Sequence, residues 1–166
     1  MTRTHLIQEV SYMAEDITRN FKPVGCSCLY MSAILAAMMH DHLSVETRFV
    51  TGSLSIAGCK VFSHQPIKQM LTKNSDLIGL WDGHAWVEVD DLIFDLSIFR
   101  TVFSTAVSPR IQNLFESRFI RGTAYLIGQK HKLEEIGIDY TSLEILSDDD
   151  ATKFIQSADR MGWIKD

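Results

Sequence analysis

The sequence has no run of basic residues, no apolar stretch long enough to cross a bilayer and only three cysteines among 166 residues. Each shortage excludes something. Sixteen Lys and Arg stand against 21 Asp and Glu, a formal charge of -5, and nowhere do cations cluster as neutralising a row of phosphates requires. Nucleic acid is therefore not an expected partner. The longest strongly apolar run, 29–39, is too short for a membrane span, and no apolar signal-peptide core follows Met1-Thr2-Arg3-Thr4-His5. These features predict a soluble, cytoplasmic protein without a membrane partner. Cys26, Cys28 and Cys59 are an odd count, too sparse for a disulfide scaffold, and a reducing compartment keeps them as thiols. No repeat, linker or low-complexity tract divides the chain, so residues 1–166 are expected to form one domain.

What is present is ordinary globular composition, with 46% hydrophobic, 10% aromatic and 22% charged residues. Leu6, Val10, Met13 and Ile17 recur at helical spacing and predict a helix over 4–21, ended by Lys22-Pro23-Val24-Gly25. A second helix is predicted over 27–40, apolar on nearly every face and so central. The β-rich runs 45–56 and 60–62 flank Ala57-Gly58 as a hairpin, with Gly52 marking a bulge or a close approach. Residues 63–76 turn polar and read as a surface excursion or short helix, and residues 63–80 are expected to bound part of the site's groove. Runs 85–89 and 92–96 enclose Asp90-Asp91, a tight antiparallel hairpin. Ser108-Pro109 opens a helix to about residue 119, 123–128 is a strand, 138–146 is a weaker strand, and Ser147 caps a last helix ending near Met161-Gly162. Helices first, strands in the middle and no βαβ alternation predict an α+β fold with a central N-terminal helix on an antiparallel sheet.

Three residues carry chemistry in this frame: Cys28 at a helix start, His84 at a strand start and Asp95 on the next strand. A thiol at a helix N-terminus meets unpaired backbone N–H groups and the positive end of the dipole, both of which favour thiolate. The Asp90-Asp91 turn sets Asp95 within a residue or two of His84 across the hairpin. A carboxylate beside an imidazole fixes its tautomer and stabilises its cation. Nucleophile, base and orienter are then complete. Trp81 and Trp86 flank His84, to cover the imidazole or simply to fill core.

These residues also carry a family resemblance. Ser27-Cys28-Leu29-Tyr30-Met31-Ser32 resembles the nucleophile segment of papain-like cysteine proteases. Gly83-His84-Ala85-Trp86-Val87-Glu88-Val89 with Phe94-Asp95-Leu96 is similar to the His and Asp strands of the transglutaminase-like superfamily, and the match spans roughly residues 24 to 97. The resemblance implies a papain-like α+β core and a Cys-His-Asp triad used for hydrolysis, deamidation, transamidation or acyl transfer. Gly25 lies one residue before Cys26 and three before Cys28, which leaves Cys26 as the alternative nucleophile. Ser32, four residues after Cys28, suits a crowded helix better than Tyr30, four after Cys26, so Cys28 is preferred. Such enzymes take an oxyanion donor from a side chain upstream of the nucleophile, and Asn20 is the candidate here.

The expected function is a cysteine hydrolase, a peptidase, amidase or deamidase acting on a protein, peptide or small amide. Acyl transfer to an amine is the alternative, followed by a binding module that has kept the fold and lost activity. A metal module through Cys26, Cys28 and His84 has poor ligand spacing. His40 and His42 do not share a helix face, and Asp148-Asp149-Asp150 lacks the rest of a calcium loop, so no metal or other cofactor is expected. Substrate identity and oligomeric state leave no mark in the sequence.

Overall fold

The apolar face of Leu6, Val10, Met13 and Ile17 folds into helix α1, Arg3–Asn20, which buries those four side chains with Ala14. The computed structural model describes residues 1–24, 27–71, 81–104, 107–119 and 122–165. Helix α2, Ser27–His42, buries ten of its side chains because it is packed on several sides, by α1, by the sheet and by the C-terminal helix. Strands β1, Arg48–Ile56, and β2, Cys59–Phe62, join through Ala57 and Gly58, both at positive φ, the geometry that suits a two-residue hairpin. A single turn of helix, α3, Lys68–Leu71, follows. The predicted hairpin at Asp90-Asp91 forms between β3, His84–Val89, and β4, Leu92–Asp95, with Asp90 at positive φ.

Helices α4, Ile98–Val102, and α5, Pro109–Glu116, lead to β5, Leu126–Gln129, then α6, Lys130–Glu135, β6, Ile138–Leu146, and α7, Asp148–Arg160. Ser147 and Asp150 exchange hydrogen bonds in a capping box at the start of α7. Gly162, at positive φ, follows its last residues as expected for a helix stop.

Every pairing in the six-stranded sheet is antiparallel, and the fold is α+β. β1 is the organising strand. Along one edge it pairs with β6 from Phe49 to Ile56, while its other edge is shared by β3 and β2. β4 and β5 extend the sheet beyond β3. One apolar cluster, supplied by α1, α2 and α7, covers one face of the sheet, and a second, supplied by α4, α5 and α6, covers the other.

The segment after β2 contains the short helix expected there, α3, and is anchored more deeply than a surface excursion. Ile67 is wholly buried in the larger cluster, and Glu144 on β6 accepts the backbone N–H of Ile67 at 2.8 Å and of Lys68 at 3.2 Å. Its polar composition conceals one apolar anchor and a set of backbone donors that a sheet carboxylate satisfies. Residues 72–80 of those expectations lie outside the described residues. Helices α4 and α6 were not expected, being too short to show a period. The strand expected over 138–146 is present throughout and carries the most extensive pairing in the sheet.

The close approach expected at Gly52 is present, whereas the bulge beside it lies on the partner strand, where Leu143 is the extra residue between the Thr51–Glu144 and Gly52–Ser142 pairs. A register shift lies between Thr51 and Gly52, and a Cβ built at Gly52 would collide with the Thr141 carbonyl oxygen and stand 2.8 Å from the Trp86 ring. Gly52→Ala is therefore expected to destabilise the protein by about 1–3 kcal/mol or more through overpacking. Urea denaturation checks this, and a loss below about 0.5 kcal/mol, the scale of a surface substitution, contradicts the close approach.

Candidate active site

The β3–β4 register pairs Val87 with Phe94 and Val89 with Leu92. Continued by one residue, it sets Asp95 opposite Trp86 and on the same sheet face as His84, a diagonal neighbour within side-chain reach. His84 Nε2 donates to Asp95 Oδ2 at 2.5 Å, and neither side chain has any solvent exposure. Asp95 has four further donors. Oδ2 also accepts the Tyr140 hydroxyl at 2.8 Å, while Oδ1 accepts the backbone N–H groups of Ser97 and Ile98 at 3.0 and 2.9 Å and the Ser97 hydroxyl at 3.2 Å. Because α4 begins three residues after Asp95, its first free N–H points back at the carboxylate.

Burial alone would push the His84 imidazolium down, but the charge of Asp95 and its hydrogen bond outweigh that, and Cys28 adds to them; the pKa rises from 6.5 to about 10. Burial likewise opposes ionisation of Asp95, and His84, the Ser97 N–H and Tyr140 overcome it, holding Asp95 below its ordinary value. Burial and the Asp95 charge together raise the Tyr140 hydroxyl well above its usual value.

Cys28 is the second residue of α2, a buried free thiol. It lies close enough to favour the proton on His84, yet His84 Nδ1 is buried without a hydrogen-bond partner among the described residues. The two groups are adjacent without a well-aligned bond. A buried polar atom left unpaired costs about 1–3 kcal/mol, so the vacant nitrogen beside a thiol is the feature of this site least explained by stability.

Phe62 stacks on the imidazole, with ring centroids 5.8 Å apart and planes 16° from parallel, and Trp86 lies 6.1 Å away at 28°. Trp86 is held in turn, its Nε1–H donating to Glu88 Oε1 at 2.8 Å, while Glu88 also accepts from Ser142 at 2.6 Å and from Arg48 at 2.6 Å. Trp81 sits elsewhere. It packs over Gly83, where a Cβ would strike its ring, and donates to the Gln65 carbonyl at 2.9 Å. Its ring meets His64 edge-on at 6.3 Å, and His64 Nε2 lies 3.2 Å from the Thr51 hydroxyl and 3.6 Å from Glu144.

Asn20 ends α1, and its side-chain amide donates to Asp16 Oδ1 at 2.9 Å on the same helix. Cys26 lies outside the described residues. No group of three or more His, Cys, Asp or Glu among the described residues is arranged to hold a metal ion, and no described helix is long and apolar enough to cross a membrane. Sequence reasoning missed Tyr140, Phe62 and Ser97. Ser97 had a local signal, two residues after a carboxylate at a strand end, whereas Tyr140 and Phe62 reach the site only through strand pairing. No protein-family model, curated protein or solved structure matches this chain.

Two measurements follow from the pair. The raised His84 value contributes stability that is complete below pH 6.5 and lost as pH rises through about 10. The lowered Asp95 value contributes stability present above 3.8 and lost as pH falls. The stability difference between wild type and Asp95→Asn is thus expected to be greatest between those two values and to shrink on either side; a difference that grows toward alkaline pH contradicts the ion pair. Tyr140→Phe removes a hydrogen bond to a charged group and is expected to lower unfolding free energy by about 1.5–3 kcal/mol, as read by urea titration at neutral pH.

Proposed function

We propose that the chain is a cysteine hydrolase of papain-like or transglutaminase-like type, acting on an amide of a protein, a peptide or a small molecule. One observation carries the reading: an imidazole fixed on Nε2 by a buried carboxylate keeps Nδ1 vacant beside a thiol on the first turn of a buried helix. The helix carrying the thiol also packs on the antiparallel strand that carries the histidine, which supports the same core architecture.

In the proposed reaction the Cys28 thiol gives its proton to His84 Nδ1, and the sulfur attacks the amide carbonyl carbon. The C=O π electrons move onto oxygen, where the Cys28 backbone N–H donates to the oxyanion. Asn20 supplies a second donor if its amide leaves Asp16. Collapse of the adduct breaks the C–N bond, and the imidazolium gives its proton to the departing amine, leaving a thioester. Water, deprotonated by His84, then attacks the thioester carbon, the acid departs and Cys28 recovers a proton. Asp95 stays ionised throughout and holds the ring orientation. The near-complete burial of Cys28, His84 and Asp95 limits access of water to the thioester, and that observation favours transfer to an amine as the second reading.

Iodoacetamide at pH 6 with peptide mapping tests the thiol. Cys28 is expected to be labelled first, with Cys26 and Cys59 slow, at a rate that a chelator leaves unchanged. His84→Ala is expected to slow Cys28 labelling by about a hundredfold, the scale of a lost general base. Faster labelling of Cys26, or a Cys28 rate that survives the loss of His84, overturns the assignment. A rate that rises only after chelation identifies a metal module instead. Equal labelling of all three thiols in the variant would report unfolding, and Asp95→Asn then provides the comparison.

A further inference from the structure

Two hollows adjoin at α4, and neither is lined by Cys28, His84 or Asp95. One, of about 260 Å³, is walled by Phe99, Phe103, Phe115 and Phe119, with Glu116 among its remaining lining residues. The rings brace one another, Phe115 and Phe119 at 4.6 Å between centroids and Phe99 and Phe115 edge-on at 5.2 Å. Phe103 is nonetheless 42% exposed, a large ring left facing water. The second hollow is a groove of about 500 Å³ that includes Arg19 and Arg100 and shares Phe99 and Thr123 with the first.

Arg100 is the unusual charge here. Its guanidinium donates to the Thr18 carbonyl at 2.9 Å and makes longer contacts with the Lys22 carbonyl at 3.5 Å and the Met31 sulfur at 3.7 Å. It forms no ion pair among the described residues, although partial burial already disfavours its charge. Capping the end of α1 accounts for the two carbonyl contacts. Of the five N–H donors on a guanidinium, Nε–H and one on Nη2 meet no acceptor among the described residues, and capping does not explain a phenylalanine cavity next door.

We propose that the two hollows form one binding site for an amphipathic carboxylate, with its aryl or branched alkyl group among the four phenylalanines and its carboxylate on Arg100. A cavity of about 150 Å³ lined by apolar side chains suffices for benzene, so the larger one here admits a ring with part of a linker. The planar fork of arginine matches a carboxylate in shape. Glu15 in the groove opposes a more highly charged phosphate, and the four rings against the one guanidinium set polarity, ring inward and acid toward Arg100. The lining residues are separate from Cys28, His84 and Asp95, so the proposal does not rest on the hydrolase reading.

Calorimetric titration of the full chain with phenylbutyrate, phenylbutanol and butyrate tests it. Phenylbutyrate is expected to saturate at one per chain and to bind about tenfold tighter than either partial probe, a difference of about 1.4 kcal/mol. Phe103→Glu, a change at an exposed ring, is expected to abolish binding with the melting transition retained. Arg100→Gln should reduce phenylbutyrate to the affinity of phenylbutanol, and should Arg100→Gln fail to fold, the probe series and Phe103→Glu decide. Cys28→Ser is expected to bind as wild type does. Equal affinity for the three probes, undiminished binding in Phe103→Glu, or loss of binding in Cys28→Ser, which would place the ligand at the thiol, each overturns the proposal.

Discussion

A carboxylate with no access to water must have its lone pairs occupied, and Asp95 imposes that requirement on much of this structure. Its five donors come from β3, from the turn into α4 and from β6. These segments are brought together by the pairings of β1, which among the described strands alone pairs with both β3 and β6. Desolvating an ion is expensive and is offset only when geometry and hydrogen bonding are both good. The demand of one side chain thus constrains the register of two strand pairs and the direction of one helix.

Glu88 repeats the solution on β3, two turns of the pleat beyond His84. Buried on the same face as His84, it gathers Trp86, Ser142 and Arg48. The resulting ladder of polar groups runs beneath an aromatic layer of Phe62, Trp86 and Tyr140, so the imidazole is confined from above by rings and from beside by charges. Such a lining strengthens electrostatic interactions by excluding water. It also leaves His84 little freedom to turn, so Nε2 stays on Asp95 and Nδ1 keeps a single direction.

Much of this was readable in advance where a local rule applied. The period of Leu6, Val10, Met13 and Ile17 specifies α1, two aspartates between alternating runs specify the β3–β4 hairpin, and that hairpin brings His84 to Asp95. Ser147 and the acidic residues after it specify the start of α7. What escaped the sequence is non-local. Residues 138–146 alternate weakly because Leu143 and Ile145 remain exposed on β6, so nothing nearby announces that Tyr140 reaches Asp95. The polar composition of 63–71 hides Ile67, whose burial depends on a glutamate more than seventy residues away. Asn20 is at the end of α1 where the sequence set it, but its amide is engaged locally with Asp16.

The pairing of β1 with β6 also has a temporal meaning. A ribosome releases β1, His84 and Asp95 well before Tyr140, and pairings so distant in sequence form late because loop closure must precede them. Until β6 arrives, Asp95 lacks one donor and β1 lacks the partner along one whole edge. The nascent chain therefore carries an incompletely desolvated histidine and carboxylate, and the thiol on α2 gains its finished surroundings only when the C-terminal third has docked. In such a chain, the buried His84–Asp95 pair acquires its final environment in the order of synthesis, its last donor arriving with β6.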